Sequence, residues 1–161
     1  MPRAAIQRKN HCVPHLEQCK NICFFYVYQK EEQALADIEH FKKMHRDIHV
    51  LMYVEGKPYL GPAFTKLNVS PFYDRYFNLF GRVSAAYRFN LLSQKYDLLI
   101  NTCPSLTLPE AMVHQMVQAD FKIGRDEAYD YLCDINFLVD NDQPMESYLQ
   151  TVSNYMNALN G

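Results

Sequence analysis

Two apolar runs, Ile22 to Tyr28 (ICFFYVY) and Ile48 to Val54 (IHVLMYV), constrain the fold of this chain more than any other feature. Each has the length of a strand and is rich in β-branched and aromatic side chains. Neither shows the polar alternation of a sheet face left in water, so both faces of each strand are expected to be covered. Between them, Glu31 to His45 places Leu35, Ile38, Phe41 and Met44 at three-residue steps with charge in between, the spacing of one helical face. Strand, helix and strand in this order make a β-α-β unit, the building block of a parallel sheet.

The same alternation resumes later in the chain. Ser84 is placed to cap a helix to about Gln94, and Ala85, Tyr87, Phe89, Leu91 and Leu92 supply more apolar positions than a narrow stripe needs, which predicts a well-buried helix. Asp97 to Asn101 is expected to be a short central strand. Thr107-x-x-Glu110, just before Ala111 and Met112, is a capping box that opens the next helix, with Pro109 in the first turn where its missing N–H costs nothing. Strands follow at Phe121 to Ile123, ending on Gly124, and at Asp134 to Val139. A last helix from about Pro144 to Leu159 carries Met145, Leu149, Val152, Met156 and Leu159 on one period.

The stretch from Tyr59 to Gly81 is rich in rings, prolines and glycines. A short strand near Phe64 to Leu67 and irregular structure around Tyr76 to Phe80 are expected there, with the rings packing onto the sheet edge. Together these elements predict one three-layer αβα domain over residues 21–161, with a mostly parallel, Rossmann-like sheet of about five to six strands and an N-terminal arm over residues 1–20.

A chain of 161 residues is the size of one domain. Its net charge of −2 lacks the basic excess of a general nucleic-acid binder, so no nucleic acid is expected as a partner. Five cysteines, an odd number in a chain long enough to fold without bridges, favour reduced thiols. Met1 to Asn10 holds no apolar core of the length a secretory signal requires, and every apolar run is interrupted well before the ~18 residues of a membrane span, so a cytoplasmic protein without a membrane partner is expected.

In open parallel sheets, ligands bind outside the carboxyl ends of the strands, where strand order reverses. That rule selects Gln29-Lys30, Glu55-Gly56, Asn101 to Thr107, and Gly124 to Asp126. Asn101, Thr102, Cys103, Ser105 and Thr107 lead into a helix N-terminus, a place that favours an anion, and Arg125 is the best placed cation beside them. The plainer reading is that the hydroxyl and amide side chains satisfy turn and cap bonds, and that Arg125 pairs with Asp126 or Glu127. Tyr73, Tyr76, Phe77 and Phe80 are the candidate surface for a protein partner or for self-association.

The five glycines, at 56, 61, 81, 124 and 161, cannot form G-x-G-x-x-G or a P-loop, and the nucleophile elbow G-x-S-x-G is absent. Cys103 lacks the arginine at position 109 or the second cysteine at 100 or 106 that phosphatase or redox chemistry would need. His11, Cys12, His15, Cys19 and Cys23 could each hold a metal, but on one helix they would spread over ~18 Å and could not close a tetrahedron. No catalytic residue, cofactor or metal is therefore assigned. The expected function is a non-catalytic binding or interaction domain, with an anion or nucleotide-sugar binder, or a degenerate transferase, as the alternative.

Two resemblances follow from particular residues. Tyr96 to Asn101, a helix carrying Ala111 and Ala119, Phe121 to Arg125, Phe77 to Gly81 and the helix Tyr148 to Asn160 resemble a family of uncharacterised bacterial proteins from about Lys20 onward, with His11 to Cys19 outside the likeness. The central part of the same stretch looks like the acceptor-side lobe of heptosyltransferase-like glycosyltransferases. It departs from them in having Asn101 where an acid is usual, in lacking the glycine-rich first loop, and in having no second lobe for a nucleotide sugar.

Overall fold

The computed structural model describes residues 5–7, 13–137 and 142–160, with side chains over 13–137 and 142–159. His11, Cys12, Leu138 and Val139 lie outside the described residues. Seven strands form one sheet: β1 Ala5–Gln7, β2 Ile22–Val27, β3 Ile48–Val54, β4 Val69–Tyr73, β5 Lys95–Asn101, β6 Gln118–Gly124 and β7 Ile135–Phe137. Their spatial order is β1-β7-β6-β5-β2-β3-β4. The six strands from β7 to β4 in that order are parallel, as the alternation predicts. β1 adds an antiparallel edge against β7, so the segment read as an arm contributes a strand.

Four helices complete the fold: α1 Glu31–Met44, α2 Ala85–Ser93, α3 Leu108–Met116 and α4 Met145–Asn160. They divide between two faces by the alternation of strand side chains. Ile22, Phe24 and Tyr26 of β2, with Val50, Met52 and Val54 of β3, meet Ala34, Ile38 and Phe41 of α1 and Tyr148, Leu149, Val152 and Met156 of α4. Phe24 and Phe41 stack with centroids 4.3 Å apart. On the other face, Cys23, Phe25, Leu51, Tyr53 and Leu99 meet Ala111 and Val113 of α3.

Three further expectations fail. The strand placed near Phe64 to Leu67 lies at Val69–Tyr73, and Pro62–Phe64 is a 3-10 turn. Pro71 argues against a strand only when both sides are hydrogen-bonded, and β4 is the sheet edge, pairing with β3 alone. The helix expected to be well buried, α2, buries none of its residues. Ser84 holds the N-cap position of α2 but its side chain makes no cap bond.

Candidate functional site

The chain runs outward from β2 through β3 to β4 on one side and from β5 through β6 to β7 on the other, so strand order reverses between β2 and β5. A cleft of about 400 Å³ opens at the carboxyl ends of these strands. Its walls are Tyr26 and Val27 at the end of β2, Lys30 and Gln33 at the start of α1, Thr102 and Cys103 after β5, Arg125 after β6, and Gln143 before α4.

Arg125 is the floor of this cleft. It is 4% exposed, its guanidinium lies 4.3 Å from the centroid of the Tyr148 ring, and Nη1 donates to the Thr102 carbonyl at 3.4 Å. Burial lowers its pKa, but an arginine keeps its charge in such a setting. Tyr148 is itself fixed, since its hydroxyl donates to the Asn101 carbonyl at 2.7 Å. Lys30 at the rim sits at the N-cap position of α1 in extended conformation, with no side-chain cap closing the helix amides.

Asp37 supplies the acidic wall. Its carboxylate accepts from the Tyr26 hydroxyl at 2.7 Å and from Gln33 Nε2 at 3.0 Å. Burial, and then the Asp37 carboxylate, push the Tyr26 hydroxyl up in pKa, so it stays a proton donor. Among the described residues, Gln143 Oε1 is buried at the cleft without a hydrogen-bond partner. Glu31 and Glu32 open α1 but do not line the cleft, and a Cβ at Gly61 would meet Glu31 Oε1 at 2.6 Å, so that carboxylate lies against the loop at Gly61.

The loop after β5 divides between the two faces. Thr102 and Cys103 reach the cleft; Asn101, Ser105 and Thr107 do not line it. Asn101 closes a turn, with Oδ1 accepting from the Cys103 amide at 2.9 Å and Nδ2 donating to the Cys103 carbonyl at 3.0 Å. The Thr102 hydroxyl donates to the Phe25 carbonyl at 2.7 Å. Thr107 and Glu110 form the capping box expected from the sequence, so the N-terminus of α3 is satisfied from within the chain, as the plainer reading has it. Cys103 is pushed up to about 11 by burial, which leaves it a thiol at neutral pH. The Asp126 carboxylate accepts from the Leu106 and Ala128 amides.

The candidate interaction residues do not form one surface. Tyr73 is buried in the core on the α1 side, Tyr76 and Phe77 are half-buried, and Phe80 projects into solvent. Of the N-terminal metal-capable group, Cys19 donates to the His15 carbonyl at 3.4 Å, and Cys23 packs into the opposite face of the sheet. The cleft residues missed in the sequence are Gln33, Asp37 and Gln143. Gln33 and Asp37 had a signal, as polar positions one helical turn apart on α1; Gln143 had none.

A family model matches residues 3–159, a span that includes His11 to Cys19. No curated protein matches the chain. Among solved structures, E. coli heptosyltransferase WaaC with ADP is similar over 83% of this chain and 46% of its own, at 13% identity and a TM-score of 0.56. A glycosyl transferase family 9 protein from Veillonella parvula is similar over 89% of this chain and 42% of its own, at 12% identity and a TM-score of 0.55. This chain therefore spans less than half the length of either, and the likeness is one of fold. The matched model belongs to DUF6913, a family of unknown function, and this chain is a member of that family.

Proposed function

We propose that this chain is a binding domain for a small phosphate-bearing ligand, held in the cleft between the N-termini of α1 and α4. The observation that carries the reading is the pairing, in one cavity at the reversal of strand order, of a buried, ring-backed Arg125 with Gln143 Oε1, which no group among the described residues engages. Arg125 and Lys30 supply the positive charge, and the uncapped amides of α1 add donors for phosphate oxygens. Gln143 Oε1 accepts from a hydroxyl or N–H of the same ligand, and Asp37 sets an acidic limit on where the anion sits. A cavity of about 400 Å³ suits a nucleotide or sugar phosphate. The presence of ADP in one structural neighbour supports a nucleotide as the first ligand to try. Group transfer is not part of the proposal: the Asp37 carboxylate that lines the cleft is already taken by Tyr26 and Gln33, and the Cys103 thiol is pushed up to about 11 by burial.

The test is calorimetric titration and thermal unfolding with ADP, UDP and inorganic pyrophosphate. A ligand at about 100 times its Kd raises the unfolding temperature by roughly 5 °C or more in a domain of this size. Lys30→Glu, at an exposed position, removes that rise without altering the unliganded melting temperature, and Arg125→Lys weakens it. Absence of any shift with all three ligands contradicts the proposal.

A further inference from the structure

The α2 side of the molecule presents apolar groups outward. Tyr87 and Leu91, one turn apart, face the protein: Tyr87 stacks on Tyr76 at 3.5 Å and Leu91 packs against the core of that face. Ala85, Phe89 and Leu92, at i, i+4 and i+7, therefore lie on the opposite stripe, where the solvent-facing side of a surface helix is ordinarily polar. Phe89 is 71% exposed.

The hairpin entering α2 repeats the pattern. Phe77 and Val83 close it with a bridge, and Asn78 Oδ1 accepts from the amides of Phe80 at 2.9 Å and Arg82 at 3.1 Å. Gly81 turns the chain at φ +71°, which a side chain would resist. The ordered tip holds Leu79 fully exposed and Phe80 87% exposed.

Charge decides what can cover this surface. Residues 75–96 contain Arg75, Arg82, Arg88 and Lys95 and no acid, in a chain with 18 acidic residues and a net charge of −2. Lys95 is paired with Asp120 at 3.2 Å, whereas among the described residues no acid engages Arg82 or Arg88. The acids that flank the stretch are occupied: Asp74 accepts from the Gly56 amide and Asp97 from the Lys20 amide. A second copy docking through the same patch would bring these arginines against each other. Exposed apolar side chains together with Arg82 and Arg88, which no acid among the described residues engages, suit a surface that is apolar inside and anionic at its boundary.

We infer that the hairpin 77–83 and the outer stripe of α2 dock on an anionic lipid bilayer, with Leu79, Phe80 and Phe89 entering the interface and Arg82 and Arg88 meeting phosphate headgroups. No helix among the described residues is long and apolar enough to cross a membrane, and a surface-lying element needs none. The absence of a long apolar run, which led to the expectation of no membrane partner, bears on spanning segments only.

Co-sedimentation of the full chain with vesicles tests this. Binding is expected to phosphatidylcholine vesicles containing phosphatidylglycerol, to weaken with added salt, and to be absent with phosphatidylcholine alone. Leu79→Ser with Phe80→Ser, and separately Arg82→Glu with Arg88→Glu, each lower binding about tenfold or more at an unchanged melting temperature. The inference is overturned if phosphatidylglycerol vesicles leave the protein in the supernatant, or if the Leu79/Phe80 variant pellets as well as the parent. It is equally overturned if sedimentation velocity without lipid shows a dimer, or a complex with an acidic protein, that the same variant abolishes.

Discussion

The two faces of the sheet are both covered by helices with many apolar residues and use them in opposite ways. On one face, α1 and α4 bury Ile38, Phe41, Tyr148, Val152 and Met156 and bracket the cleft with their N-termini. On the other, α3 covers the centre of the sheet, while α2 crosses above Tyr76 and buries none of its residues. The lesson is that a helix's apolar content does not determine its depth. What decides is which stripe faces the sheet. In α1 the apolar positions share one face, whereas in α2 Tyr87 and Leu91 point inward and Phe89 and Leu92 outward.

The contrast is broken most directly by removing one ring from each face. Phe41→Ala deletes the partner of Phe24 in a fully buried site and is expected to destabilise the domain by about 3–5 kcal/mol. Phe89→Ser removes an exposed ring and is expected to change stability by no more than about 0.5 kcal/mol. Urea unfolding of the two variants measures both. Similar losses would mean that α2 is held as tightly as α1.

Acid sharpens the same contrast. His114 lies on α3 with no exposure, edge-on to Phe25 at 5.3 Å, and burial, aided by Lys122, lowers it to about 3. The unfolded chain takes up this proton near pH 6.5 and the folded chain does not. The associated stability is complete above about pH 6.5 and is lost as the pH falls toward 3, at roughly 1 kcal/mol per pH unit. His49, on the same face of the sheet, is also lowered by burial and adds to the slope in the same direction. His114→Leu should reduce the slope of stability against pH by about one proton, as read by urea unfolding between pH 4 and pH 7. An unchanged slope would place the acid sensitivity elsewhere.

Legibility followed the same division. β2, β3 and β5 could be read because strands covered on both faces show unbroken apolar runs, and α1 and α4 because their apolar positions keep one period. β4 was displaced because Pro71 carries a signal against strands that an edge position removes. The depth of α2 was misread because counting Ala85, Tyr87, Phe89, Leu91 and Leu92 ignores the stripe each one occupies. Of the cleft, Arg125, Thr102, Cys103 and Lys30 could be found from strand ends. Gln143 could not, since only the packing of α4 beside α1 brings it there, whereas the capping box of Thr107 and Glu110 that closes the α3 N-terminus was readable from its spacing.

The two regions also make different claims on a ligand, and one spectrum separates them. Titrating the protein with ADP while following backbone amides by NMR is expected to shift residues 29–33, 102, 103, 125, 143 and 145 together. Residues 79–82 and α2 should keep their positions. Movement confined to α2 and the hairpin, or no movement at saturating nucleotide, would contradict the assignment of the cleft as the binding site.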